Sequence, residues 1–415
     1  MSAGVEFFID VLTETGVLSR QEIDQTQRQM TADPLTTDQS RHAELTASGP
    51  LPTEPDTVDI SLFLSTDDLR QSDQTRHLPK AANPSCATRQ PEPAASTPTP
   101  MLQLAHQLVR QSKLTAFQAR AACNGDRKLL RCGDYHLLDL IGSGGMGHVF
   151  KARHEASEDL FAIKILRDSA QRSPGRLARF HREIEVTSRL THTNIVTAQT
   201  AGESNGSHYL VMDLVDGLDL KSVVRKSGPV AIADAVDYVL QAARGLHYAH
   251  SERLVHRDIK PANLLLDANG TIRVLDLGLV QIVEEEQTDD ALQDVTRLTV
   301  QGQVLGTPDY MSPEQAEDTR SVDKKTDIYS LGCTLHFLLT GRPPFLGATP
   351  VEVMMAHATQ PIPWLRHQRS HVPSTLDQLF QQLLAKDPGD RPESLAPVIV
   401  ELESITASLK SDAKK

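Results

Sequence analysis

Apolar and polar positions alternate along the chain in three different ways. Residues 1–30 and 101–130 carry short runs of apolar residues at helical spacing, which predict two small helical units. From Asp134 to about Val215 apolar and polar residues alternate between glycines, as is typical of strands, and after about Ala231 the spacing becomes helical. This order predicts an α+β fold in which a β-rich lobe precedes a helical lobe.

The composition changes over residues 31–100, which separate the two helical units. They are rich in Pro, Thr, Ser, Asp and Gln and nearly devoid of aromatic residues. Such a segment has too little apolar surface to form a core, so we predict a disordered linker. Within it, Val58 to Leu69 has apolar residues among acids; it reads as a transient helix, with a partner-binding segment as the alternative.

Two segments on either side of this linker resemble each other. Residues 12–22 read LTETGVLSRQE and residues 108–118 read LVRQSKLTAFQ. Ser19 and Thr115 align, and each is followed three residues later by Glu or Gln, which is the pattern of a helix capping box. Each segment therefore predicts a helix, a turn and a second helix. Coincidence between short amphipathic helices is one explanation; a true repeat would let the units pack together or dock a shared partner.

Charge and cysteine content narrow the class of protein. The formal net charge of −12 over 415 residues disfavours a nonspecific nucleic-acid or membrane-surface binder. The four cysteines, Cys86, Cys123, Cys132 and Cys333, show no paired spacing, and no signal peptide or membrane anchor is evident, so we expect reduced thiols in a cytoplasmic protein. The most apolar stretches, such as 329–339, are far shorter than the ~20 residues that a membrane-spanning helix needs.

A glycine-rich segment opens the strand-rich region with the sequence IGSGGMGHV. Its glycines allow backbone to approach phosphate groups closely. A dinucleotide-binding turn has the same glycine spacing, but it leads into a helix. Here the segments VFKARHE and LFAIKIL follow and alternate like strands, which favours a nucleotide-phosphate loop between two strands. The candidate phosphate-binding residues are Ile141, Gly142, Ser143, Gly144, Gly145, Met146, Gly147, His148 and Val149.

A charged residue on the next apolar strand strengthens this interpretation. Lys164, in FAIK, needs an anionic partner if it is buried, because an unpaired buried charge is costly. The ATP phosphates and a helix carboxylate would supply it, either Glu183 or Glu185 in FHREIEV, with Glu183 favoured. An exposed lysine on an edge strand is the alternative.

The segment HRDIKPAN, residues 256–263, has the residues needed for phosphoryl transfer. Asp258 is the candidate base for a substrate hydroxyl, and Asn263 is a candidate Mg²⁺ ligand. Asp276, in VLDLGLV, follows an apolar strand and is the second candidate metal ligand. A turn would be the ordinary interpretation of a lone Asp near Gly, but the spacing after Asn263 favours the metal site.

Together these motifs resemble the eukaryotic-type (Hanks-type) serine/threonine protein kinase family, bacterial branch. The resemblance extends from Tyr135 to about Leu402 and includes GTPDYMSPEQA and LTGRPPF. It implies a bilobal fold with ATP bound in the cleft, and it leaves residues 403–415 as a flexible tail. It also implies an ion pair between Glu314 and Arg391, and a role for Asp327 in steadying the catalytic loop.

The resemblance further implies roles for individual residues. Lys260 would neutralise charge on the transferred phosphoryl group and, with Thr307, favours Ser or Thr as the acceptor. Met212 would guard the back of the nucleotide pocket. The residues implied to contact adenine, through the hinge backbone or on either side of the ring, are Val149, Ala162, Asp213, Val215 and Leu265.

Regulation and partners follow from the same resemblance. Thr296 and Thr299 are candidate phosphorylation sites whose phosphates would pair with Arg257. Mg²⁺ is the expected metal ion, with Mn²⁺ as an alternative, and protein substrates are the expected partners. A further protein partner could bind the N-terminal helical units, on the separate ground of their internal repeat. A catalytically silent pseudokinase scaffold and a small-molecule kinase are the rival functions, the first disfavoured by the complete catalytic set and the second by GTPDYMSPEQA. The sequence leaves the oligomeric state open.

Overall fold

The computed structural model describes residues 2–32, 99–144, 147–166, 190–275, 308–317 and 322–412. The chain forms two compact units, one of Met1–Ile141 with Phe150–Asp159 and the other of Gly142–Val149 with Leu160–Lys415. Across the described residues, no helix combines the length and the apolar character that crossing a membrane requires. Among the described residues, Cys123, Cys132 and Cys333 do not form disulfide bonds.

The described residues 2–32 and 99–124 of the first unit form four helices, here called the helical module. They are α1 (Ala3–Glu14), α2 (Arg20–Ala32), α3 (Pro100–Arg110) and α4 (Ala116–Asn124). Their apolar faces share one core, which includes Phe8, Leu12, Leu104, Leu108 and Leu130. The segments on either side of residues 33–98 thus pack against each other.

The two halves of the helical module repeat the same backbone geometry. Gly16 has φ 71°, and Ser112, at the aligned position, has φ 55°. In each half the next two backbone N–H groups donate to the carbonyl of the aligned leucine, at 3.1 and 3.4 Å to Leu12 and at 3.0 and 3.3 Å to Leu108. These bonds satisfy carbonyl groups at the end of the first helix of each pair. The sequence resemblance therefore corresponds to a structural repeat.

Both expected capping boxes are confirmed. In the first, the Glu22 N–H donates to Ser19 Oγ at 3.3 Å, and the Ser19 N–H donates to Glu22 Oε2 at 2.8 Å. In the second, the corresponding bonds between Gln118 and Thr115 both measure 3.1 Å. The hydrogen bonds from Ser19 also lower the pKa of Glu22. Each box closes the start of the second helix of its pair.

The strands follow directly after the helical module. They are β1 (Arg131–Cys132), β2 (Tyr135–Gly144), β3 (Gly147–His154), β4 (Leu160–Leu166), β5 (Ala198–Ser204) and β6 (Ser207–Asp213), in the sheet order β1-β2-β3-β4-β6-β5. Antiparallel pairing of β4 with β6 sets Ala162 opposite Met212 and Lys164 opposite Leu210. A smaller sheet has the order β7-β8-β9, formed by β7 (Gly217–Asp219), β8 (Leu264–Asp267) and β9 (Ile272–Val274).

Most of the other described residues of the second unit lie in helices or in the turns between them. Its helices are α5 (Leu220–Ser227), α6 (Ile232–Ser251), α7 (Pro313–Glu317), α8 (Lys324–Thr340), α9 (Pro350–Thr359), α10 (Leu365–Gln368), α11 (Ser374–Leu383) and α12 (Leu395–Asp412). Residues 326–339 of α8 are all buried, so this helix forms the centre of the core. The fold is that of a β-rich lobe followed by a helical lobe, as expected.

The C-terminal end corrects one expectation. A flexible tail was expected over 403–415, but residues 403–412 continue α12, which extends to Asp412. Leu402, Ile405 and Leu409 recur at helical spacing and pack onto the core of the second unit. Burial of these side chains stabilises the additional turns, whereas propensity alone gave no reason to extend the helix.

Candidate active site

A buried carboxylate on α8 holds the loop that contains Asp258. Asp327 is 0% exposed. Its Oδ2 accepts the backbone N–H of His256 at 2.9 Å and faces His250 Nε2 at 2.8 Å, while its Oδ1 accepts the N–H of Arg257 at 2.8 Å. Arg257 has φ 66°, which is uncommon for a residue with a side chain. Asp327 therefore fixes a strained turn immediately before Asp258.

The same contacts keep Asp327 ionised. Burial by itself would raise the pKa of this carboxyl, because the charged form loses its water. The hydrogen bonds from His250 and from the His256 backbone, together with the electrostatic interaction of Asp327 with these two residues, outweigh burial and lower the pKa below its usual value. The carboxylate form is the one that can accept two backbone N–H groups.

Asp258 is the centre of a short hydrogen-bonded group. Lys260 Nζ donates to Asp258 Oδ2 at 2.7 Å. Asn263 Nδ2 donates to the same oxygen at 3.0 Å and to the Asp258 carbonyl at 2.8 Å. The Asp258 side chain remains 32% exposed, so a substrate hydroxyl can reach it. With its nitrogen turned to Asp258, Asn263 presents its oxygen as the atom for binding a metal ion.

His256 connects this loop to the strand that leads to Asp276. The Asp258 N–H donates to His256 Nδ1 at 3.3 Å, and His256 Nε2 lies 2.6 Å from the Leu275 carbonyl. Nδ1 is thus the acceptor, and Nε2 carries the proton and donates to Leu275. The Leu275 N–H in turn donates to the Asn263 carbonyl at 2.9 Å. The residue that precedes Asp276 is therefore fixed against the catalytic loop.

Lys164 lies at a buried position on β4, where its side chain is 5% exposed. Ala162, two residues earlier, packs with Met212 in an apolar cluster that also contains Val149. Leu265 lies on β8, opposite Asp219 and Arg273, and does not belong to this cluster. Thus the structure brings Val149, Ala162 and Met212, three of the residues expected around the nucleotide, into one apolar cluster.

The described residues of the glycine-rich segment, 141–144 and 147–149, form the end of β2 and the start of β3. Ser143 Oγ lies 3.1 Å from His148 Nδ1, which joins the two strands. A Cβ added at Gly147 would overlap the backbone carbonyl of Ile165, so only glycine fits there. A Cβ added at Gly142 would instead lie 3.6 Å from Val149, an ordinary contact. Close backbone packing is thus a further reason for glycine at Gly147.

The expected ion pair between Glu314 and Arg391 is present and bidentate. Arg391 Nη1 and Nη2 donate to the two oxygens of Glu314 at 2.7 and 2.8 Å. Burial alone would raise the pKa of Glu314, but the bonds from Arg391 lower it. Arg391 also donates to the carbonyls of Ala385 and Lys386. The pair therefore joins α7 to the segment that follows α11.

Several expected site residues lie outside the described residues, so their positions are not part of this geometry. They are Gly145, Met146, Glu183, Glu185, Asp276, Thr296, Thr299 and Thr307.

Sequence reasoning missed two residues that hold the catalytic loop. His250 is one, and its position at the end of α6 gave no signal of a contact with Asp327. Gln315 is the other: its Nε2 donates to the Arg257 carbonyl at 2.8 Å, and its Oε1 accepts the Ser312 N–H at 3.1 Å. The Ser-x-x-Gln pattern of 312–315 was a visible capping signal.

One cavity, of about 430 Å³, lies beside residues 213–215, the expected hinge. Asp213 and Val215 line it together with Asp216, Asp267 and Arg273. Lys164, Asp258 and Asn263 do not line it, so this cavity is separate from the group around Asp258.

Comparison with known proteins agrees with this geometry. Residues 135–401 match the family model described as protein kinase domain. The chain is 36% identical over 287 residues to serine/threonine-protein kinase PknB of Mycobacterium leprae, an alignment that covers 68% of this chain and 44% of that protein. It is also 36% identical over 262 residues to serine/threonine-protein kinase PrkC of Bacillus subtilis, covering 63% of this chain and 39% of that protein.

A solved structure shows the same fold. The kinase domain of PknI from Mycobacterium tuberculosis superposes with a TM-score of 0.51 at 26% identity, covering 66% of this chain and 97% of that domain. The chain spans less than half the length of the curated relatives that it matches. Members of the matched family use ATP and a divalent metal ion. The chain therefore belongs to the protein kinase domain family, among its bacterial Hanks-type serine/threonine kinases.

Proposed function

We propose that this chain transfers the γ-phosphoryl group of MgATP to serine or threonine hydroxyls of proteins. The observation that carries the proposal is the group formed by Asp258, Lys260 and Asn263 on a loop held by buried Asp327. Similarity to PknB and PrkC supports the choice of serine and threonine as acceptors.

Asp258 is the proposed base. The substrate hydroxyl oxygen forms a bond to the γ-phosphorus, the bond between that phosphorus and the β–γ bridging oxygen breaks, and ADP leaves. The hydroxyl proton passes to Asp258, whose carboxylate is partly exposed and oriented by Asn263. Lys260, 2.7 Å from Asp258, is close enough to offset the negative charge of the transferred group.

Asn263 and Asp276 are the proposed Mg²⁺ ligands. Mg²⁺ prefers oxygen ligands, and the orientation of the Asn263 amide, with its nitrogen on Asp258, fits such a ligand. When bound, the metal ion would neutralise phosphate charge; Mn²⁺ could occupy the same oxygen ligands. Within the described residues no cluster of three acidic, His or Cys side chains suggests a second type of metal site.

Lys164 and the glycine-rich hairpin are proposed to bind the ATP phosphates, with Glu183 as the carboxylate partner of Lys164. Val149, Ala162 and Met212 supply an apolar surface for adenine, and the backbone of 213–215 would form its hydrogen bonds. Leu265 is the proposed contact on the other side of the ring. Since ATP is supplied inside cells, a cytoplasmic location follows from this function.

Phosphorylation of Thr296 or Thr299 is proposed to activate the enzyme. Arg257 lies beside Asp258 in the strained turn fixed by Asp327, and its guanidinium could pair with a phosphate. Protein substrates and a protein partner of the helical module complete the proposed interactions.

Transfer of radiolabel from ATP tests this function. Purified chain is incubated with labelled ATP, Mg²⁺ and a generic basic acceptor protein, and phosphosites are mapped by mass spectrometry. We expect Asp258→Asn to lower the rate by roughly 10²- to 10⁴-fold, because the base is lost. The matched control is Asp234→Asn, at an exposed position in the first turn of α6.

Label on Ser or Thr that disappears in Asp258→Asn and persists in Asp234→Asn supports the proposal. Nucleotide binding without label incorporation, under Mg²⁺ or Mn²⁺ and with a folded protein, would instead identify a pseudokinase.

A further inference from the structure

The helical module contacts both strands that lead into the glycine-rich loop. On the first strand, the Thr115 hydroxyl donates to the Leu138 carbonyl of β2. On the second, the Phe117 ring lies 5.8 Å from the Phe150 ring of β3, centroid to centroid. Leu138 is three residues before Ile141, and Phe150 directly follows Val149. The N-cap and first turn of α4 therefore contact both strands of the β2–β3 hairpin, one on each side of the glycine-rich loop.

The aromatic contact is buried, and the bond from Thr115 to Leu138 is partly buried. Phe117 is 7% exposed and Phe150 is 3% exposed. The Thr115 hydroxyl also accepts the Gln118 N–H at 3.1 Å, so one side chain caps α4 and holds β2. Leu130, in the core of the helical module, accepts the N–H of Leu137 through its carbonyl at 3.0 Å.

The first repeat lacks this arrangement, although its backbone is the same. Gln21 aligns with Phe117 and is exposed. Ser19 aligns with Thr115, but its hydroxyl donates to Glu22 Oε2 at 2.6 Å within its own capping box. Both repeats therefore have a capping box, whereas only the second repeat has the aromatic ring and the bond to β2. This difference points to a role beyond folding of the helical module.

We propose that Thr115 and Phe117 are positioning residues for MgATP, acting by fixing the β2–β3 hairpin from the side of α4. The proposal rests on the function proposed above. Under this proposal the helical module contributes to nucleotide binding. The more firmly it holds the β2–β3 hairpin, the better the glycine-rich loop of that hairpin binds the ATP phosphates. A protein that binds the module could change nucleotide affinity through the same two residues.

Steady-state kinetics with two matched pairs of variants test this role. Phe117→Ala is compared with Phe7→Ala, which removes an aromatic ring that packs on Gly125 in the same module. Thr115→Ala is compared with Ser19→Ala, which removes the equivalent cap of the first repeat. For Phe117→Ala and Thr115→Ala we expect KM for ATP to rise roughly five- to tenfold, with kcat at saturating ATP changing less than about twofold. Both controls, and the conservative variants Phe117→Leu and Thr115→Ser, should remain near wild type.

Two further measurements separate the possible failures. Binding of fluorescent ADP with Mg²⁺ reports nucleotide affinity without catalysis. Hydrogen exchange of residues 135–154 reports the hairpin directly, and it should be faster in Phe117→Ala and Thr115→Ala than in their controls.

Equal KM, ADP affinity and hairpin exchange within each matched pair would overturn the positioning role. An equal loss of kcat in variants and controls, accompanied by a lower Tm, would also overturn it by showing a purely structural effect. A wild-type chain that neither binds ADP nor transfers phosphate would disprove the proposed function instead, and hairpin exchange would still decide whether the module holds β2 and β3.

Discussion

The catalytic loop and the helical module are held by opposite means. In the loop, one buried carboxylate, Asp327, accepts two backbone N–H groups and contacts His250. In the module, the aligned leucines Leu12 and Leu108 lie in a shared apolar core, and each capping box joins residues only three positions apart. The stability of the catalytic loop should therefore be sensitive to the exchange of a single hydrogen-bonding atom. The stability of the helical module should instead be sensitive to the loss of buried side-chain volume.

Replacing the carboxylate gives the largest expected effect. Asp327→Asn keeps the size of the side chain but replaces one acceptor oxygen by a donor that faces the N–H groups of the loop. A buried network broken in this way costs on the order of 3–5 kcal/mol. We expect a loss of this size in urea unfolding, together with loss of phosphate transfer. Asp377→Asn, a buried Asp on α11 that bonds the Leu365 N–H, is the control; activity retained in Asp327→Asn would contradict the assigned role.

Removing volume from the helical module gives the next largest effect. Leu108→Ala is expected to destabilise the module by about 3 kcal/mol, because it deletes a fully buried side chain. Leu12→Ala, at the aligned position of the repeat, should cost nearly the same. Hydrogen exchange in α1 to α4 of the full chain measures both. A large difference between the two would show that the repeats do not share the core equally.

Acid should weaken the catalytic loop through the buried Asp327 and the partly buried Glu314. It should weaken the helical module less, because Glu22, whose pKa is also lowered there, is an exposed capping residue. The folded-state pKa values of Asp327 and Glu314 lie below their ordinary values of 3.8 and 4.5. Their contribution to stability is therefore present above these ordinary values and is lost as the pH falls below them towards the folded-state pKa values. The free energy of unfolding, measured from about pH 5 to pH 3, should decrease, and it should decrease less in Asp327→Asn than in wild type. An unchanged pH dependence in that variant would exclude Asp327 as its source.

The smallest effect concerns the turn of the second repeat. Ser112→Gly is expected to stabilise the module by about 0.5–1 kcal/mol, because Ser112 has φ 55° where aligned Gly16 has φ 71°. The reverse change, Gly16→Ser, should destabilise, and its Cβ would also approach Arg131 at 3.2 Å. Thermal unfolding of the pair measures both. If Ser112→Gly instead lowers the stability, the serine side chain stabilises the module by more than the strain of its positive φ destabilises it.

The sequence by itself determined the order of the lobes, the capping boxes and the identity of the catalytic candidates. These features depend on local pattern: alternation predicts strands, Ser or Thr followed by Glu or Gln predicts a cap, and HRDIKPAN places Asp258 and Asn263 in one loop. The resemblance between 12–22 and 108–118 was also visible, with packing of the two units left as one outcome.

Only the tertiary structure decided which distant groups meet. His250 and Asp327 are 77 residues apart, and no local pattern joins them. The same holds for Thr115 with Leu138, for Phe117 with Phe150, and for the turns that extend α12 to Asp412. Such contacts arise because burying an apolar face or satisfying a buried polar group needs a partner, and the partner comes from whichever element the fold brings alongside. Sequence spacing carries no record of that choice.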